Sequence, residues 1–234
     1  MGAIAAALQA CQDRISGACR QAGRDSSCAT LLAVSKTFPA EAVREAWDAG
    51  QRCFGESYVQ EAVTKMATLA DLAIQWHFIG PLQSNKTRPV AERFHWVHSV
   101  ERLKIAQRLS EQRPNHQPPL QVCIQVNVSG EASKHGVPAG NAIDLARAVS
   151  MLPAIKLRGF MAIPEPTPDL EVQHARFKHL SDLLIEANRQ GLALDTLSMG
   201  MSADMETAIT EGSTLVRVGT AIFGTRQYTK EHSS

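Results

Sequence analysis

The chain has 234 residues, 44% of them hydrophobic and 20% charged, which is ordinary globular composition and a length that suits one large domain or two small ones. Its 24 basic and 23 acidic residues leave a formal charge of +1, which argues against a nucleic acid or an acidic polymer as partner. Five cysteines (Cys11, Cys19, Cys28, Cys53, Cys123) form no CxxC and leave one over, which argues against a secreted disulfide framework and for the reducing cytoplasm.

From the amino end, Met1 to Leu8 is apolar but has no basic flank and runs straight into Gln12-Asp13-Arg14, unlike a signal peptide. Ile4, Leu8, Cys11, Ile15, Ala18 and Ala22 recur at spacings of four and three and stop at Gly23, so residues 1–24 predict an amphipathic helix. Strand and helix signals alternate after it. Short apolar runs predict strands at 30–35, 52–55, 75–79, 95–98, 121–128, 156–162, 194–198 and 214–218. Pro39 to Ala49 predicts a helix that buries Val43, Ala46 and Trp47 and ends at Gly50. Residues 88–93 read as a mixed surface stretch. The segment 169–190 predicts a second long helix, with Phe177, Leu180, Leu184 and Ala187 inward and Gly191 as its stop. No apolar stretch approaches the length of a membrane span. Histidine spacings fit no metal site.

Eight strands alternating with helices, without a linker, predict a single domain over 1–234 of the α/β class. The expected fold is a (β/α)8 TIM barrel with an extra N-terminal helix and a short tail at 225–234. An open doubly wound sheet shares the alternation, but no glycine-rich turn follows the first strand to support it. Within 121–128, Val122, Ile124, Val126 and Val128 share one face while Gln121, Cys123, Gln125 and Asn127 share the other. That pattern suits a strand with helices outside and a polar barrel interior.

A barrel carries its site at the carboxyl ends of the strands. Lys36 closes the first apolar run there, just before Thr37-Phe38-Pro39. A partly desolvated lysine on rigid backbone is a usable amine nucleophile; the alternative is a rim lysine that snorkels to water. Barrels hold phosphate in the loops after the seventh and eighth strands, here Ser198-Met199-Gly200-Met201-Ser202 and Gly219 to Gly224. The first loop runs into a helix expected near Ala203, where Ser202 serves either an anion or the helix cap, with Asp204 and Glu206 competing for the same helix end. Gly219 permits close backbone approach, and Thr220 adds a hydroxyl. In Thr214-Leu215-Val216-Arg217-Val218, alternation turns Arg217 inward if the valines face the helices, with no obvious carboxylate mate. An amine, an anion cradle and an inward guanidinium suit a phosphorylated aldehyde or sugar, and they are the parts that pyridoxal 5′-phosphate requires.

These residues resemble the pyridoxal phosphate homeostasis proteins, a family sharing the barrel of the alanine racemase N-terminal domain. The marks include Ala33-Val34-Ser35-Lys36-Thr37, Phe54-Gly55-Glu56-Ser57-Tyr58-Val59-Gln60-Glu61, Trp76 to Lys86, Leu197 to Ser202, and Arg217 to Gly224. The resemblance implies pyridoxal 5′-phosphate as cofactor, carried as an aldimine on Lys36. It implies Ser202, Gly219 and Thr220 as phosphate contacts and Arg217 facing the pyridine nitrogen. Met201 and Asn85 are carried over as cofactor contacts within their motifs. Ser57 stands where the family usually has asparagine; with Gln60 it also fits a helix capping box. Lys134 matches a family lysine near the site mouth.

The family implies a cofactor carrier acting in pyridoxal phosphate homeostasis and amino- and keto-acid balance, with apo-enzymes as receiving partners. Two alternatives stand beside it: an amino-acid racemase, and a sugar-phosphate aldolase using Lys36. An arginine at the pyridine nitrogen opposes ring protonation and weakens the electron sink. Racemisation needs acid–base groups on both faces of the α-carbon. The only tyrosines, Tyr58 and Tyr228, have no evident route to the second face, and the barrel ends near Phe223. Without a coiled-coil stretch the expected state is a monomer, in the cytoplasm.

Overall fold

The computed structural model describes residues 2–130 and 135–225. Lys134, Tyr228 and all but the first residue of the tail lie outside these described residues.

Nine parallel strands carry the architecture: β1 (Thr30–Val34), β2 (Cys53–Glu56), β3 (Gln75–Phe78), β4 (Trp96–Val100), β5 (Leu120–Asn127), β6 (Val137–Pro138), β7 (Ile155–Met161), β8 (Thr196–Ser198) and β9 (Leu215–Val218). Strand β1 pairs with β2 on one side and with β9 on the other, in the register Leu32↔Arg217 and Ala33↔Val218. That pairing closes eight strands into a barrel in the order β1-β2-β3-β4-β5-β7-β8-β9 and excludes the open sheet. The ninth strand, β6, was not expected. It adds two residues beside the end of β5 and stands outside the ring.

The helices between strands are α2 (Ala40–Asp48), α3 (Val59–Thr68), α4 (Thr87–Arg93), α5 (Leu103–Gln112), α6 (Ala142–Ser150), α7 (Leu170–Arg189) and α8 (Met205–Thr210). One turn, α9 (Thr220–Phe223), follows β9, and α1 (Ala3–Gln21) precedes the barrel. Helix α1 buries Leu8, Cys11, Ile15, Ala18 and also Cys19, and the chain leaves it through Gly23 at φ 68°. In α2, Val43 and Ala46 are fully buried, while Trp47 is only half-covered and carries the Arg52 guanidinium 4.2 Å above its ring. Helix α7 is capped by Asp169, whose carboxylate accepts from Glu171 N and Val172 N. The stretch 88–93 lies in helix α4, with Arg88 and Arg93 at the surface and Val90 and Ala91 buried beneath; Pro89 falls in its first turn, where its missing N–H costs nothing.

On β5, Val122, Ile124 and Val126 join the core between barrel and helices. Cys123 instead packs inside the barrel against Trp96 and Met161, a separate apolar plug. The expected two faces of this strand are therefore present, with a mixed interior. Among the described residues no helix is long and apolar enough to cross a membrane, and no group of three His, Cys, Asp or Glu could hold a metal.

Candidate functional site

At the carboxyl end of β1 the chain turns sharply. Phe38 N–H donates to Ser35 O at 3.1 Å, closing a four-residue turn with Lys36 and Thr37 at its centre. Thr37 has φ 69°, a conformation that turns normally give to glycine or asparagine. For a β-branched residue this is strain of order 1–3 kcal/mol, held in place by surrounding contacts.

Lys36 lines a cavity of about 310 Å³ together with Ser57, Met201, Ser202, Arg217, Gly219 and Thr220. Of the eight residues singled out from sequence, seven thus converge on one space. Asn85 stands apart: it is exposed on the short turn Ser84–Lys86, outside this lining. Among the described residues the wall holds two cationic side chains, three hydroxyls and no carboxylate, with Val34, Phe38, Ile79 and Ile163 as its apolar part. That donor set suits a small, flat molecule bearing an anionic group. Phe38 and Phe223, with ring centroids 5.2 Å apart, close one rim.

A larger groove of about 820 Å³ adjoins this cavity through Ser57 and is lined by Tyr58, Lys86, Glu92, Arg93, Glu101 and Arg102. Its charges are mixed and in part internally paired, as Arg102 is with Glu101 at 3.4 Å. The smaller cavity holds the convergent chemistry. Tyr58 is 55% exposed and belongs to the groove, so among the described residues no tyrosine lines the Lys36 cavity.

Arg217 is 4% exposed and points into the barrel, while Val216 and Val218 face the helices. Its Nη1 donates to Ser198 O (2.6 Å) and Ser198 Oγ (2.9 Å), and Nη2 donates to Ala162 O (2.9 Å). Backbone carbonyls and a hydroxyl, not a carboxylate, are its partners. Burial lowers its pKa to about 10, so it remains a cation at neutral pH.

Two loop expectations need correcting. Helix α8 starts at Met205 with Asp204 before it, so Ser202 is not a helix cap. Asp204 Oδ1 accepts from Met201 N at 2.6 Å, and Glu206 turns away to pair with Arg14 at 2.7 Å, so neither acid occupies the cavity. Helix α3 starts at Val59 after Tyr58, with no side-chain cap bond, so the Ser57–Gln60 capping box does not form. Ser57 sits one residue too early and lines the cavity instead. Gly200, at φ 92°, passes where a Cβ would meet Ala208 Cβ at 2.6 Å, and Gly219 lies where one would come within 3.0 Å of Val34 O. Helix α1 braces the same loop, with Arg14 Nη2 donating to Ser202 O at 3.2 Å, and Arg24, just past α1, donates from Nη1 to Ile209 O in α8 at 2.7 Å.

Sequence reasoning missed a buried chain behind Arg217. His98 Nδ1 lies 2.8 Å from Ser198 Oγ, His98 Nε2 lies 2.9 Å from His77 Nδ1, and His77 Nε2 lies 3.2 Å from Gln75 Oε1. The signal was available: alternation in Trp76-His77-Phe78 and Val97-His98-Ser99 turns both rings inward. Burial, aided by the Arg217 charge, drives His98 down to about 3, and burial with the neighbouring histidines pushes His77 well below its usual range. Both rings are neutral when folded and take up protons when unfolded. Their contribution is present above about pH 6.5 and is lost as pH falls through the folded values, with stability dropping by about 2 kcal/mol by pH 5 from His98 alone and further from His77. Burial raises the Glu56 pKa, which acts in the opposite sense and softens this slope. Urea unfolding at pH 7, 6 and 5 checks the drop, and a flat profile would mean that these rings are hydrated.

Cavity, lysine turn and barrel together define a class. A family model described as alanine racemase, N-terminal domain, matches residues 7–227. The pyridoxal phosphate homeostasis protein of Pseudomonas aeruginosa is 61% identical over 228 residues, covering 97% of this chain and 98% of that protein. The Escherichia coli K12 protein of the same name is 50% identical, covering 99% of this chain and 100% of its own. The chain belongs to this family of pyridoxal phosphate homeostasis proteins. Among solved structures, PipY of Synechococcus elongatus with PLP bound is 36% identical and superposes with a TM-score of 0.83, covering 94% of this chain and 100% of PipY.

Proposed function

We propose that this protein binds pyridoxal 5′-phosphate at the barrel mouth and holds it as a reserve for intracellular pyridoxal phosphate homeostasis, without catalytic turnover. The observation that carries the reading is the convergence of Lys36, Arg217 and three hydroxyls on one cavity with no carboxylate among its described lining residues. The PLP-bound relative of the same fold supports it, as do the names of the close relatives.

Ser202, Thr220 and the backbone beside Gly219 take the phosphate. Because Ile222 N and Phe223 N donate to Gly219 O, the N–H groups that open α9 are left for an anion. Arg217 faces the pyridine nitrogen, while Ser57 and Met201 line the ring's surroundings; Asn85 takes no part in the reading. Bound there, the cofactor supplies an aldehyde that amines capture reversibly. Lys36 would be the amine that captures it, with the carbonyl oxygen lost as water. A competing amine, that of an apo-enzyme or an amino acid, reverses the attachment by the same exchange. The reading includes a monomer in the cytoplasm, checked by sedimentation and by fractionation.

Two measurements test it. Purified protein mixed with pyridoxal 5′-phosphate turns yellow, and borohydride followed by peptide mapping finds the label on Lys36. A colourless, unlabelled protein rejects the reading. Incubated with single L-amino acids in deuterium oxide, the loaded protein exchanges α-protons no faster than free cofactor does. Fast exchange with formation of the D-enantiomer would make it a racemase.

A further inference from the structure

Against the two residues that flank Lys36, and outside the cavity lining, lies a buried charged cluster that the proposed binding does not use. Glu56, at the end of β2, is 0% exposed, and Lys65, in the middle of α3, is 5% exposed. Lys65 Nζ donates to Glu56 Oε1 at 2.6 Å, to Glu61 Oε1 at 3.0 Å and to the backbone carbonyl of Ser35 at 2.8 Å. Ser35 Oγ donates to the same Glu56 oxygen at 2.7 Å, and the amide of Thr37 donates to Glu61 Oε1 at 2.6 Å. Both residues flanking Lys36 are therefore gripped by one cluster. The grip falls on the turn whose third residue, Thr37, is held at φ 69°.

Burying an ammonium and a carboxylate is costly, and an apolar pair of similar volume would serve stability as well or better. What an apolar pair could not supply is a donor for Ser35 O, an acceptor for Ser35 Oγ and the ammonium that holds Glu61, the acceptor of Thr37 N–H. We propose that Lys65, with Glu56 and Glu61, is a positioning residue that clamps the strained Ser35–Phe38 turn and so aims the Lys36 amine into the cavity. It touches neither cofactor nor reacting atoms. The proposal rests on Lys36 as the point of attachment and deepens that reading.

The clamp acts on amine placement and leaves the phosphate cradle alone, which gives a readout that general weakening of the fold would not produce. Replacing Lys65 alone strands a buried carboxylate, so the test uses the paired variant Lys65→Met with Glu56→Gln and, separately, Glu61→Ala at the partly exposed end. Two ligands are compared on the full chain: pyridoxal 5′-phosphate, and 4′-deoxypyridoxine 5′-phosphate, which keeps ring and phosphate but has no aldehyde. Labelling of Lys36 by borohydride in the parent protein is established first. If it fails there, the functional reading falls, independently of the clamp.

With labelling established, the clamp predicts that the rate of covalent attachment to Lys36 falls about tenfold in either variant, as expected for a displaced nucleophile. Affinity for the deoxy analogue stays unchanged, and Lys65→Arg recovers part of the attachment rate. Unchanged labelling kinetics in the folded variants overturn the proposal. So does a parallel loss of both ligands, which would make the cluster a fold stabiliser only.

Discussion

Replacing Lys36 with alanine is expected to abolish borohydride-stable attachment of pyridoxal 5′-phosphate and to leave only phosphate-mediated binding. The amine sits at the end of β1 on a turn fixed from both sides, so it would meet the aldehyde at an effective concentration far above that of a free lysine. Losing it weakens apparent affinity by about a hundredfold, or about 2.7 kcal/mol. The fold is expected to tolerate the change, because the side chain is only half-covered and the flanking residues are held by Glu56, Glu61 and Lys65. Equilibrium dialysis gives the affinity, and the intact mass after reduction gives the attachment. A trapped adduct of undiminished yield in Lys36→Ala would locate the attachment on a different lysine. Unchanged melting alongside lost attachment would separate the chemical role of Lys36 from any part in folding.

Much of this was legible because barrel strands announce themselves as short apolar runs ended by turn residues, and period-two alternation then sorts their faces. That logic placed Arg217 inward before any coordinates, since Val216 and Val218 had to meet helices. The same rule, applied to Trp76-His77-Phe78, would have found the histidine chain. What alternation cannot reveal is pairing across the fold. Glu56 and Lys65 lie nine positions apart, one at a strand end and one in the middle of a helix, and only the βα turn between them brings Nζ under Ser35. Strand β6 escaped because two residues, Val137 and Pro138, carry no periodicity. Ser57 and Ser202 were each ambiguous between cap and ligand, and the ambiguity turned on where α3 and α8 begin. A shift of one or two residues at a helix start decides it, and helix starts are what sequence defines least well. Asn85 was carried over with a motif whose strand end reaches the site, whereas the turn carrying Asn85 does not.

Arg217 is where stability, spectrum and proton affinity should respond together. Arg217→Met keeps most of the volume but removes the donors to Ser198 O, Ser198 Oγ and Ala162 O, leaving buried acceptors unpaired at a cost of about 2–4 kcal/mol. The variant should therefore fold but melt earlier. Arg217's charge is also one of the two causes that hold His98 down at about 3, burial being the larger. Without the cation the His98 pKa rises, a shift that proton-detected titration reads without any cofactor. With the cofactor added, the same loss has a second consequence. A cation beside a pyridine nitrogen opposes its protonation, so its removal lets the ring take up a proton and become a stronger electron sink. The visible band of the loaded protein should then shift and vary with pH between 6 and 8, and α-proton exchange with amino acids should rise above the parent's level. The two readouts separate the claims. A raised His98 pKa with an unaltered cofactor spectrum would leave Arg217 as an internal strut of the barrel and remove it from the ring nitrogen. An altered spectrum would place Arg217 beside the ring nitrogen as well as in the barrel's interior, where its charge adds to burial in keeping His98 unprotonated.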